Sequence, residues 1–226
     1  MHEVKPEDEF KHIRKISDPQ LNSASDAIER SKMLERAFVL AGNTPVEVGS
    51  YFHRVDESYM FFWGHGFNSA SNRHYVGMAH DYDLDLVKAY FEQLCKFPDQ
   101  EPMFRAIERI RTSRFSSVSV DKAIDLGIAM EIMLLGDDED NGELVYRMSV
   151  RGGWLLGSDP GDRALAAKTV RDIYKGRSKA VHRGAIKRTL AVTWHALEPD
   201  DFIRRIIVKI LDLGHFPNWE TVTFGG

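Results

Sequence analysis

The sequence is poor in cysteine, with a single one, Cys95, among its 226 residues. One cysteine excludes an internal disulfide framework and any zinc site built on several thiolates. Long apolar runs are also missing, since no stretch approaches the roughly eighteen residues that cross a membrane, and the first residues are polar, unlike a signal peptide. These absences predict a cytoplasmic protein without membrane contact, and no residue pattern indicates a cofactor or a metal site.

The chain as a whole also lacks an excess of positive charge. It carries 30 Lys/Arg against 34 Asp/Glu, a net charge of −4, and its isoelectric point is about 6.1. This balance argues against a general nucleic-acid coat protein. Between Glu143 and Leu190, however, eleven Lys/Arg face only four Asp/Glu, a local net charge of +7. Any contact with a polyanion is therefore expected to be local.

The most informative stretch within this basic segment is DIYKGRSKAVHRG, from Asp172 to Gly184. It holds Arg177 and His182 with four residues between them. Arginine stays protonated and offers a planar fork of donors that fits phosphate oxygens. Histidine, with an unperturbed pKa of about 6.5, can accept or donate a proton near neutrality. The pair therefore suits the binding and cleavage of a phosphodiester.

Two further blocks precede this motif, DKAIDLGIAMEIMLLG (121–136) and ELVYRMSVRGGWLLG (143–157). In this order and at this spacing, the three blocks resemble the Apea-like branch of the HEPN domain superfamily, over roughly residues 84 to 214. Many HEPN domains are metal-independent endoribonucleases. The resemblance implies an antiparallel helical bundle of HEPN type, a homodimer with the motifs at its interface, and RNA as the partner. It further implies a toxin or defence effector, which would have an antitoxin or another defence-system partner.

The pattern of apolar residues agrees with a mainly α fold. We expect a HEPN-type helical domain over 84–226, with a C-terminal tail that packs on it through its aromatic residues. The apolar segment Asp121 to Leu135 is predicted as the central buried helix, and Cys95 as a small core residue on an earlier helix. Residues 1–83 are predicted to form a small mixed α/β region of unknown role, with two short strands between Val46 and Phe67.

Metal-independent cleavage of RNA uses the 2′-hydroxyl as the nucleophile, and it needs a base, an acid and positive charge. We assign Arg177 and His182 as catalytic residues. The resemblance adds an acidic residue on an earlier helix, for which Glu131 is the best match and Asp125 the second; Arg177 or Arg151 would pair with it. The residues predicted to bind RNA are Ser178, Lys179, Arg183, Lys187 and Arg188.

Two arrangements could bring the motif residues to one phosphate. Five positions on a continuous helix separate two side chains by about 140° around the axis. A helix break at Gly176 would remove this separation, whereas a two-fold axis would bring the motifs of two copies together. The resemblance implies the second arrangement.

Two other functions stay open. The domain could be a catalytically inactive HEPN module for nucleotide or RNA binding or for dimerisation, because a fold does not establish an activity. A pure protein-interaction scaffold would explain the helices, but it would leave the basic motif without a role.

Overall fold

A computed structural model describes residues 18–43, 51–54, 60–63, 83–136, 143–184 and 195–224. The chain is mainly helical, which confirms the predicted fold class at this level. The helices are α1 (Asp18–Ala41), α2 (Leu84–Lys96), α3 (Gln100–Phe115), α4 (Ser119–Leu135), α5 (Leu144–Leu156), α6 (Pro160–Arg183), α7 (Pro199–Leu213) and α8 (Trp219–Phe224).

The chain divides into two compact units. One comprises Met1–Glu35 and Glu47–Met78, and the other Arg36–Val46 and Ala79–Gly226. In the first unit, β1 (Tyr51–Arg54) pairs antiparallel with β2 (Met60–Trp63). Most of the predicted α/β region over 1–83 lies outside the described residues, so its mixed α/β character stays a prediction. The last turn of α1 belongs to the second unit.

The second unit is organised around α4. This helix packs against α3, α5, α6 and α7, which confirms the prediction of a central helix, and its buried apolar residues form one broad face. Its buried apolar residues are Ala123, Leu126, Ala129, Met130, Met133 and Leu134. Among the described helices, none is both long and apolar enough to cross a bilayer.

Helices α5 and α6 form an antiparallel pair, and two glycines of α5 allow the two helix axes to approach closely. A Cβ added at Gly153 would lie 2.9 Å from the carbonyl oxygen of Arg163, and one added at Gly152 would lie 2.7 Å from Cγ2 of Val170. Side chains at these positions would push the helices apart. The pair therefore holds α6, which carries the motif, firmly against the bundle.

Helix α6 runs through the motif without a break, so the first of the two arrangements considered, a break at Gly176, does not occur. Its start is fixed by Asp159, whose side chain accepts a hydrogen bond from the backbone N–H of Asp162, and by Pro160 in the first turn. Its end is at Gly184, which adopts a left-handed φ of 61°. Gly176 is buried inside the helix, where a glycine costs only about 1 kcal/mol relative to alanine.

Cys95 is exposed, so its predicted burial is also wrong. The buried residues of α2 are Val87, Tyr90 and Leu94. Because each residue advances about 100° around the helix, Cys95 lies beside this face rather than on it.

The aromatic tail packs as predicted. The ring of Phe216 meets that of Phe97 edge-on, with centroids 5.4 Å apart. The guanidinium of Arg151 lies 5.3 Å from the centroid of the Trp219 ring.

Candidate functional site

Arg177 lies where α6 crosses α4, opposite Gly127. A Cβ added at Gly127 would overlap Cγ of Arg177 and would lie only 2.7 Å from its Cβ. The missing side chain of Gly127 therefore leaves room for the aliphatic stem of Arg177 to lie against α4. Gly127 could not be recognised from the sequence. Its role depends on the residue that it faces on another helix, and no local pattern gives that residue.

Glu131 follows Gly127 by one helical turn and meets the arginine head group. Nη2 of Arg177 donates a hydrogen bond to Oε2 of Glu131 at 3.3 Å, and the side chains remain 28% and 24% exposed, respectively. Burial raises the pKa of the Glu131 carboxyl above its ordinary value, and the charge of Arg177 partly opposes this rise. The structure thus brings together two of the three predicted catalytic residues.

The other partners considered for this pair are engaged elsewhere. Asp125 is buried and accepts a hydrogen bond of 2.9 Å from Nη1 of Arg109 on α3. Nη1 of Arg151 donates to the carbonyl oxygens of Leu134, at 2.8 Å, and Leu135, at 3.3 Å, at the end of α4. Of the two carboxylates considered, Glu131 is therefore the one that contacts Arg177.

His182 lies in the last turn of α6 and is exposed. Because α6 is continuous, Arg177 and His182 point in directions about 140° apart. Arg177 faces α4, whereas His182 faces away from the buried side formed by Ile173, Gly176 and Ala180. A single chain therefore does not bring the two motif residues to one face.

The predicted RNA-binding residues in the described part of the chain share the end of α6. Ser178 is half-buried, and Lys179 and Arg183 are exposed. Lys187 and Arg188 lie outside the described residues.

Two exposed basic residues lie earlier on α6, Arg171 and Lys175. They precede Lys179 at intervals of four residues. The sequence analysis counted Arg171 and Lys175 in the basic segment but did not assign them to a site. Their spacing could have revealed them, since residues four apart share a helix face.

Arg177 also has unused hydrogen-bonding capacity. Its Nε is buried and has no hydrogen-bond partner within the described part of the chain. The guanidinium lies 5.8 Å from the centroid of the Tyr174 ring, one turn earlier on α6. An unpaired buried nitrogen is not by itself a sign of function here, because Nη2 of the interior residue Arg114 is in the same position.

No protein-family model, curated protein or solved structure matches this chain. The resemblance to HEPN domains therefore depends on the three sequence blocks. The geometry above is independent of that resemblance.

Proposed function

We propose that this protein is a metal-independent endoribonuclease of HEPN type, which cleaves RNA by attack of the 2′-hydroxyl on the adjacent phosphate. The observation that carries the proposal is the placement of Arg177. Its stem lies against Gly127 and its head group is held by Glu131, yet the side chain stays partly exposed. A fixed cation that solvent can reach is well suited to bind a phosphodiester and to stabilise the charge of its transition state.

His182 would transfer the protons. The 2′-hydroxyl must lose a proton and the leaving 5′-oxygen must gain one, and an imidazole can do either near neutral pH. Its exposed position at the end of α6 allows RNA to reach it. Glu131 would act as a positioning residue, since it contacts the arginine rather than the reacting atoms.

The continuity of α6 favours a site shared between two copies of the chain. Arg177 and His182 of one copy diverge around the helix, so one phosphate cannot readily be bound by both. A two-fold axis close to the end of α6 would place His182 of each copy near Arg177 of the other. A dimer would then hold two such sites, each with Arg177 from one copy and His182 from the other.

The proposal is tested by incubating the purified protein with a mixed RNA pool in EDTA. The wild type should cut RNA, leave a 2′,3′-cyclic phosphate and spare DNA, which lacks the 2′-hydroxyl. His182→Ala and Arg177→Ala should each lower the cleavage rate at least about 100-fold, the usual contribution of a positioned acid or base. Lys88→Ala, at an exposed site on α2, is the control and should cut like the wild type.

A mixture of the two inactive variants tests the shared site in the same assay. If the site forms between copies, mixed dimers combine an intact Arg177 with an intact His182, and cleavage should return. If both residues of one chain act together, no mixed dimer holds a complete site and the mixture should stay inactive. Light scattering should show a dimer at micromolar concentration.

One observation favours a second function. The divergence of Arg177 and His182 on α6 would leave a monomer with an arginine and a histidine that act on different surfaces. A wild-type protein that is monomeric, binds RNA and cuts none would therefore be an inactive HEPN-type binding module. Cleavage that EDTA abolishes and Mg²⁺ restores would contradict both functions.

A further inference from the structure

One face of α6 carries more positive charge than the motif requires. Arg171, Lys175 and Lys179 are all exposed and recur every four residues. Four residues advance the helix by about 6 Å and turn it by only about 40°. The three cations therefore form a nearly straight row along α6. His182 lies in the last turn of the helix, and around the helix axis it points between the directions of Arg171 and Lys175. These four residues are called the α6 basic face below.

The acidic residues of the described chain do not neutralise this row. Arg171, Lys175 and Lys179 form no ion pair with any described residue. The nearby carboxylate of Asp172 is bound by Lys168 at 2.8 Å, one turn before the row. Three unpaired cations in line repel one another, so their placement favours a negatively charged ligand.

Tyr174 borders the α6 basic face on the side of Arg177. Its side chain is partly exposed, and the Arg177 guanidinium lies 5.8 Å from its ring centroid. Around the helix, Tyr174 falls between the directions of Arg177 and His182. An aromatic ring beside a row of cations combines the two elements that bind single-stranded nucleic acids, a stacking surface for a base and positive charges for the backbone.

We propose that the α6 basic face, with Tyr174, binds a single-stranded segment of the RNA substrate and leads it to His182. Arg171, Lys175 and Lys179 contact successive phosphates, and one base stacks on Tyr174. Tyr174 is thus a positioning residue that holds the nucleotide beside His182. This inference rests on the proposed ribonuclease function, because it takes RNA as the ligand.

A duplex fits this arrangement less well than a single strand. In double-stranded RNA the bases are paired and stacked, so none is available to Tyr174 without being extruded. The cations alone would still attract the duplex backbone. Tyr174 should consequently matter for single strands and not for duplexes.

The test measures the affinity of a fluorescent, fully 2′-O-methylated single-stranded RNA, which the protein cannot cut, between 50 and 300 mM salt. The triple variant Arg171→Gln, Lys175→Gln, Lys179→Gln should bind about 100-fold more weakly at 0.1 M salt, and its salt slope should be shallower by about 2, since each phosphate contact contributes about 0.7. The matched control replaces three exposed lysines of α2 and α7, Lys88, Lys96 and Lys209, with glutamine. It changes the net charge equally and should bind like the wild type.

A second pair of variants tests the aromatic ring. Tyr174→Leu should weaken single-strand binding between about 5- and 100-fold, the range expected for loss of one stacked base, and should leave binding of a 2′-O-methylated duplex unchanged. Tyr174→Phe keeps the ring and should bind like the wild type. Equal weakening for single strand and duplex, or no weakening, would overturn the assignment of Tyr174.

Cleavage of unmodified RNA separates the two proposals. If the wild type cuts RNA but the triple variant binds like the control, the α6 basic face is not the RNA path and the ribonuclease proposal stands. If binding depends on the face but His182→Ala changes no cleavage, the face stands and the enzyme proposal falls. If the wild type neither binds nor cuts RNA, both are wrong.

Discussion

Two arginines of the second unit, Arg114 and Arg177, each meet a carboxylate. Arg114, on α3, is 4% exposed; its Nε donates to Oδ2 of Asp200 at 3.2 Å and its Nη1 to the carbonyl oxygen of Val39 at 2.8 Å. Arg177, on α6, is 28% exposed, and among the described residues its side-chain acceptor is Glu131, at 3.3 Å. The first pair is enclosed and shared among three elements, whereas the second is open on one side.

The enclosed pair fastens the end of α1 to the bundle. Arg204 of α7 adds a hydrogen bond of 3.0 Å to the carbonyl oxygen of Leu40, so two arginines satisfy carbonyl groups that the end of a helix leaves unpaired. Burial lowers the pKa of Arg114, and the Asp200 carboxylate opposes this effect. Arg114 therefore holds helices together, while Arg177 is itself held and remains accessible to a ligand.

Replacing each arginine by methionine should separate these roles by stability. Arg114→Met leaves Asp200 and the Val39 carbonyl unpaired near the core, and should lower the free energy of unfolding by about 3 kcal/mol. Arg177→Met removes a partly exposed pair and should cost about 1 kcal/mol or less. Urea unfolding measures both values.

The control for this comparison is Arg105→Met. Arg105 is exposed and lies 3.8 Å from the exposed carboxylate of Glu101, so its loss should change stability by less than about 0.5 kcal/mol. Equal losses for Arg114→Met and Arg177→Met would show that the two pairs are alike, and the distinction drawn here would be wrong.

A smaller effect is expected at Gly127, where the arginine stem crosses α4. Gly127→Ala places a Cβ against Cβ and Cγ of Arg177. Overpacking costs about 1–3 kcal/mol, and the better helix propensity of alanine returns about 1 kcal/mol. The net loss should be about 1 kcal/mol, and the rate of the proposed RNA cleavage should fall, because Arg177 is displaced.

Gly161→Ala provides the matched control in this case. Gly161 is exposed, and its added Cβ would meet only Oδ1 of Asp159, at 3.2 Å. Stability and activity should both stay at the wild-type level. A Gly127→Ala protein with full activity would show that Arg177 does not need its place against α4.

The sequence was informative where its signal is local or periodic. The apolar residues of α4 identified it as the central helix, and a carboxylate in so apolar a segment indicated that Glu131 needs a cationic partner. The predicted burial of Cys95 was wrong, and the break considered at Gly176 does not occur. Which residues of a helix its neighbours cover is set by their packing, and local patterns do not record it. The position of Gly127 opposite Arg177 is set by the crossing of two helices 50 residues apart, which no local pattern records.

The smallest expected effect concerns the pH dependence of the open pair. Burial raises the folded-state pKa of Glu131 above its ordinary value of 4.5, so the folded protein holds this proton more tightly than the unfolded chain does. The free energy of unfolding should therefore fall as the pH rises from about 4.5 through the raised pKa. The Glu131→Gln side chain cannot ionise, so the free energy of unfolding of this variant should decrease less over the same pH range. Urea unfolding between pH 4 and 7 measures the difference.

Arg177→Met should strengthen the pH dependence that Glu131→Gln removes. The arginine charge lowers the pKa of Glu131, so its loss should raise that pKa further and extend the fall in stability to higher pH. Carbon-13 NMR titration of the Glu131 carboxyl measures the pKa directly in both proteins. Lys122→Met, which removes an exposed charge near the start of the same helix, should leave the titration unchanged. A Glu131 titration that does not respond to Arg177→Met would mean that the two side chains do not interact and that the carboxylate does not hold the arginine in place.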